Sequence, residues 1–363
     1  MFPKLFATGL AMACYVFTYA QDSTAVVAAV EEESPKPVIS GYVDTYYRFN
    51  FANAKNVGDD GATNNLTSFT NSQNSFELNM ASVKFEHSIG KVSGVVDLGF
   101  GKRAEEFSYN DESTAIAIKQ AYLSYAFSDK FKLTAGSWGT HVGYEVLDPY
   151  LNRNYSMSYM FSYGPFFHTG IKGDLTLGKS GLMFGIVNPT DFKTANFQQK
   201  MIVAQYSLAA SDKLKIFVNY AGGKIDEETN LQQVDAVVLG TITDKFSIGY
   251  NGTVQGRKTK QADGKYADGN TWWGSALYFN VDPTPAVGLT LRGEYISDKK
   301  DLLGFTGAGS IFATTLSANL KAGPLTFIPE LRIDAGSEDI FVKKEGEATK
   351  GTASLILAAI YKF

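Results

Sequence analysis

The segment Leu355-Ile356-Leu357-Ala358-Ala359-Ile360-Tyr361-Lys362-Phe363 ends the sequence and carries its sharpest signal. Successive side chains of an extended strand point to opposite sides. Leu355, Leu357, Ala359, Tyr361 and Phe363 therefore share one face, against Ser354, Ile356, Ala358, Ile360 and Lys362. An aromatic ring at the end of such a strand is stable at a lipid–water interface. A last core strand of a soluble β protein reads the same way, so the rest of the chain has to decide.

The same alternation recurs upstream. Ile39, Val43, Tyr47, Phe49 and Phe51 face away from Ser40, Tyr42, Asp44, Tyr46, Arg48 and Asn50. Phe246, Ile248, Tyr250 and Val254 alternate with Ser247, Gly249, Asn251, Thr253 and Gln255. Segments of this kind build transmembrane barrels, and two-layer sandwiches as well. The connections separate the two. Strands are expected at 39–51, 74–88, 91–102, 115–127, 131–140, 167–178, 181–188, 200–210, 214–222, 231–242, 246–255, 271–281, 287–297, 310–321, 325–335 and 351–363. Connections from odd to even strands are long: 52–73, 103–114, 141–166, 189–199, 223–230, 256–270, 298–309 and 336–350. Connections from even to odd strands are tight, and three share a Ser/Thr-Asp-Lys form at 128–130, 211–213 and 243–245. There the short polar side chain stabilises the bend. Greek-key sandwiches do not sort their loops by end; membrane barrels do. The fold expected is all-β: a closed antiparallel transmembrane β-barrel of about 16 strands, within roughly 14–18. Short turns would be periplasmic and long loops extracellular. The strand phase slips near Met80 to Val83, and 115–127 and 234–242 read either way.

Composition agrees. A net charge of −4 excludes a strongly basic nucleic-acid binder. The 19% charged fraction is low for a soluble domain, where about a quarter is usual. Cys14 is the single cysteine, which excludes intramolecular disulfides and CxxC metal sites. Lys4, the mostly apolar Leu5 to Tyr19 and the small-residue site Thr18-Tyr19-Ala20 read as an export signal over 1–20. Cleavage after Ala20 would leave a cysteine-free chain, suited to an oxidising compartment. A lipidation box at Ala11-Met12-Ala13-Cys14 would have Ala11 where Leu is usual. Residues 21–38, with Glu31-Glu32-Glu33, Pro35 and Pro37, read as a flexible periplasmic lead. The barrel itself would be 39–363.

In lipid every backbone polar group has to be paired internally, so a spanning sheet must close. Sixteen tilted strands enclose an aqueous lumen, which tolerates inward charges. Asp44, Arg48, Asp97, Lys132, Lys172, Asp174, Arg292, Glu294, Glu330, Arg332 and Asp334 are the pore-lining candidates. Those on strands 39–51, 287–297 and 325–335 flank the seam closed by the last strand. They are expected to form a mixed-sign stripe whose transverse field sorts polar solutes, so that neutralising Arg48, Arg292 and Arg332 shifts selectivity toward cations.

The longest connection, 141–166, lies at the centre of a resemblance. Gly136-Ser137-Trp138-Gly139-Thr140, Gly143-Tyr144-Glu145, Asn152-Arg153-Asn154-Tyr155-Ser156, Tyr159-Met160-Phe161 and Gly164-Pro165-Phe166-Phe167-His168-Thr169-Gly170 resemble the centre of the OmpL-like β-barrel porins of Gram-negative outer membranes. The resemblance implies an outer-membrane barrel passing small solutes, and supplies no ligand-binding residue. The terminal Tyr361 and Phe363 likewise resemble the signal that barrel-assembly machinery reads. Long loops without regular structure usually carry function. Loop 141–166 is expected to fold inward, with Tyr144, Tyr155, Tyr159, Phe161, Tyr163 and Phe166 at a constriction; packing against other loops or a second subunit is the other reading.

Little else points to chemistry. None of His87, His141 and His168 has a serine two residues on, and no Asp-x-His is present, so barrel phospholipases and proteases are not matched. His168 is either a pH-sensitive group at the mouth or a hydrogen-bonding anchor of the loop. The GxG at Gly99 to Gly101 lacks the strand-to-helix setting of a phosphate cradle. Asn56 to Asn65 is a candidate Ca²⁺ loop or a solvated one. No cofactor and no resident metal are expected. Partners expected are outer-membrane lipid and lipopolysaccharide, the assembly machinery, small solutes and, given the width, a homotrimer. A substrate-specific transporter with a plugged barrel and a non-conducting adhesin or anchor are the rival functions.

Overall fold

The computed structural model describes residues 35–54, 64–196 and 198–363. The export signal at 1–20, most of the lead and the core of the 56–65 loop lie outside the described residues. Sixteen strands form one closed antiparallel barrel in simple chain order. They are β1 Val38–Asn50, β2 Ser75–Ile89, β3 Val92–Phe100, β4 Ile118–Ala126, β5 Phe131–Gly139, β6 Phe167–Leu177, β7 Ser180–Val187 and β8 Met201–Ser211. Then follow β9 Leu214–Lys224, β10 Thr229–Thr243, β11 Phe246–Thr259, β12 Asn270–Thr284, β13 Val287–Ser297, β14 Ser310–Ala322, β15 Leu325–Gly336 and β16 Gly351–Lys362. The seam joins β1 to β16, with Val43 opposite Tyr361 and Asn50 opposite Ser354. Phe363 continues it by exchanging two backbone hydrogen bonds with Gly41, each 3.0 Å. Gly41 leaves the space that the Phe363 ring covers.

The three Ser/Thr-Asp-Lys turns share one device. Ser128, Ser211 and Thr243 each accept a hydrogen bond from the N–H two residues on, at 3.2–3.3 Å. The phase slips are β-bulges. Asp44 pairs with Met80 and Thr45 with Leu78, so Asn79 is the extra residue in β2. Asp97 pairs with Gln120 and Leu98 with Ile118, so Lys119 is extra in β4. A bulge re-aims a side chain, and here both extra residues turn into the barrel, buried.

The exterior is apolar all round. Phe76, Leu123, Ile171, Phe184, Ile202, Val218, Leu277, Leu316 and Ile333 are exposed on it. A continuous belt of this kind exceeds what soluble monomers show. Outward aromatic pairs mark both rims: Tyr47 with Phe76 and Trp273 with Tyr295 toward the long loops, Tyr125 with Phe127 and Tyr361 with Phe363 toward the tight turns. Among the described residues no helix is long and apolar enough to cross a membrane. The two short helices, α1 Lys102–Phe107 and α2 Tyr159–Ser162, belong to long loops.

Candidate functional site in the barrel lumen

The third long loop, between β5 and β6, enters the barrel. A backbone that leaves water must find other partners for its N–H and C=O groups. The wall supplies them. Glu330 on β15 accepts the N–H of Tyr155 at 2.6 Å and of Ser156 at 3.0 Å. Glu294 on β13 accepts the N–H of Tyr159 at 2.7 Å. Arg292 donates to the carbonyl of Ser156 at 2.8 Å and Arg332 to that of Met157 at 2.7 Å. Within the loop, Glu145 accepts the N–H of Ser158 at 2.7 Å and pairs with Arg292 at 2.6 Å. Side chains complete the contact: the Tyr155 hydroxyl donates to Asp44 at 2.7 Å and that of Tyr159 to Asp334 at 2.8 Å.

The loop runs the height of the lumen. Arg153 reaches the β12–β13 turn and holds both carboxylate oxygens of Asp282, at 2.8 and 3.2 Å. Tyr150 packs on Tyr42 at the seam, 5.1 Å between ring centres, and lies under Lys362 at 4.5 Å. At the other end Phe69, Phe107, Met157, Phe161, Phe166 and Phe167 form one cluster, which joins the first three long loops over the mouth. The bulge residues serve the same insertion. Asn79 donates to Asp44 and the Tyr155 hydroxyl, and Lys119 pairs with Asp97 at 3.1 Å and with Asp148 of the loop at 2.6 Å. Arg103 on α1 adds a 3.5 Å ion pair to Asp44.

The expected open stripe of charge needs correction. Asp44, Arg48, Arg292, Glu294, Glu330, Arg332 and Asp334 do point inward around the seam, yet none exceeds 5% exposure. The third loop covers all but Arg48, which donates to the Ser72 and Asn64 carbonyls of the first long loop at 2.8 and 3.0 Å, and Arg292, Arg332, Glu294 and Asp334 are paired with one another. Asp97 is buried in the same way. Lys132, Lys172 and Asp174 keep partial exposure, on the wall the loop does not cover. Of the loop aromatics, Tyr155, Tyr159, Phe161 and Phe166 are buried, Tyr144 stacks on Tyr278 at 3.9 Å and Tyr163 on Phe305 at 4.3 Å. His168 lies 3.3 Å from the Thr140 hydroxyl and 5.1 Å from the His141 ring, at the loop's base. Arg103, Lys119, Glu145, Asp148 and Arg153 join the site only in the folded chain. The bulges behind the slipped phase were the one local signal for Lys119; the others depend on long-range contact.

Opposite the loop, toward the tight turns, inward Tyr122, Lys132, Lys172, Asp174, Gln205, Ser207, Lys215 and Phe217 stay partly exposed. Above them Trp138, Val142, Met183, Val187, Met201, Val203, Ala221 and Leu231 pack into an apolar layer. The site is thus a polar vestibule beside an inserted loop, under an apolar layer.

A closed antiparallel barrel with a lipid-facing belt and a long loop folded through its lumen is a membrane barrel of the porin class. Residues 38–363 match the family described as "Putative beta-barrel porin-2, OmpL-like", and the chain belongs to it. Its barrel is an outer-membrane one, with the tight turns gathered at one rim and the long loops at the other. Solved structures share the fold. The outer membrane channel DcaP of Acinetobacter baumannii is 12% identical with a TM-score of 0.58, over 90% of this chain and 97% of that one. The anion-selective porin from Comamonas acidovorans is 11% identical with a TM-score of 0.58, over 90% and 99%. OmpT of Vibrio cholerae in its trimer form is 10% identical with a TM-score of 0.57, over 90% and 99%. At these identities the likeness is one of fold alone. No curated protein matches the chain in sequence.

Proposed function

We propose that the chain is an outer-membrane channel through which small hydrophilic solutes diffuse passively, narrowed by its third loop. One observation carries the reading: the loop is bound through its own backbone to inward charges of the wall, so it is a fixed part of the lumen. Solutes would pass beside it, along β4 to β9, where inward side chains keep contact with water. Tyr144, Tyr155, Tyr159, Phe161, Tyr163 and Phe166 serve the narrowing by anchoring the loop. The reading assigns no reaction to the chain. Export through cleavage after Ala20, recognition of Tyr361 and Phe363 by assembly machinery, contact with lipopolysaccharide and a homotrimer belong to the same proposal.

The apolar layer around Trp138, Met183 and Met201 supports a second reading, a plugged, substrate-specific transporter. Single-channel conductance of the refolded protein in a planar bilayer separates the two. Long-lived steps, enlarged by deleting 150–160, are expected of the channel. Silence from protein that is verifiably folded favours the transporter.

A further inference from the structure

Buried opposite charges offset much of each other's field, whereas charges that touch water also meet a passing ion directly. The water-exposed charges of the lumen lie in the vestibule beneath the apolar layer. There Lys84 is matched by Glu86 at 2.9 Å and Lys172 by Asp174 at 3.5 Å. Lys132 on β5 and Lys215 on β9 also point inward and are partly exposed. Neither has an acidic partner within ion-pair distance among the described residues. Lys132 stands opposite Asp174 on the neighbouring strand, so this one carboxylate is shared between two lysines, and the Lys172 ammonium lies 5.4 Å from the Trp138 ring.

We propose that this vestibule selects anions, with Lys132 and Lys215 as its specificity-determining residues. The proposal rests on the channel reading above and names the solute class: small anions, attracted by fixed cations in a recess with low-dielectric walls. Such a recess concentrates counter-ions before any contact is made. The Lys172 ammonium beside the Trp138 ring marks the inner end of the path.

The test is the reversal potential of the full barrel across a potassium chloride gradient. Wild type should favour chloride. Lys132→Gln with Lys215→Gln should lower the chloride-over-potassium ratio by about tenfold, the lower end of the enrichment a one-sign cleft produces. Lys299→Gln, on a long loop, should leave it unchanged. A wild-type preference for potassium, or an unaltered ratio in the double variant, overturns the proposal. If the folded barrel is silent, the channel reading falls, and quenching decides the vestibule by itself. With Trp138→Phe, Trp272→Phe, Trp273→Phe and Phe217→Trp, the one tryptophan stands on β9 two residues from Lys215, at a partly exposed position of the vestibule. Iodide should then quench it more than caesium, and the lysine variants should abolish the difference. Equal quenching by the two ions overturns the proposal.

Discussion

Glu330 holds the inserted loop by two of its backbone N–H groups. It also accepts the Ser317 hydroxyl. Glu330→Ala leaves two buried N–H groups without partners, each costing about 1–3 kcal/mol. The barrel, held by its ladders, should still fold, while the loop loosens. Added protease should cut near 155 in the variant and spare the wild type. Glu106 on α1 makes the cap over the mouth sensitive to pH. It accepts the Phe69 N–H at 2.8 Å. Burial, the largest influence, raises its pKa from 4.5 to about 7, against the lowering by that hydrogen bond and by Arg103. Between those values the folded state keeps a proton the unfolded state has lost, so burial of Glu106 under the cap is fully favoured below about 4.5 and that stability is lost as pH rises through about 7. Conductance should be smaller at pH 5 than at pH 8, and Glu106→Gln should remove the difference.

Among the elements, the third loop and the closing strand are most exposed to test. Arg153 ties the loop tip to the β12–β13 turn through Asp282. Arg153→Ala should free the tip alone and enlarge single-channel steps less than deletion of 150–160 does; equal effects would mean that the tip is the whole restriction. At the seam, Phe363 fills the space left by Gly41 and extends the ladder of β16. Deleting it should slow barrel closure, read as a smaller heat-modifiable fraction on an unboiled gel after a fixed refolding time. The bulges at Asn79 and Lys119 show why two strands resisted a phase assignment. One extra residue puts neighbours on the same side, and the sequence alone does not reveal the loop that the redirected residue meets.

For the molecule as a whole, the apolar belt argues for lipid contact around its circumference, and a trimer would have to hide part of it. Cross-linking in detergent should yield a trimer band, and light scattering at a monomer mass would remove that assembly. The amino-acid sequence by itself determined the barrel: alternation set the inside and outside of each strand, and loop lengths sorted the ends. Both signals are local, since pleat and turn geometry act over a few residues. The family resemblance rested on the same central stretch. What the tertiary structure alone decided is the use of the inward charges. Glu294, Glu330 and Arg332 read as a wetted pore wall because inward polarity on a strand looks the same whether water or a loop faces it. Only the folded chain brings residues some 175 positions apart into hydrogen-bonding distance and turns that wall into the socket of its own loop.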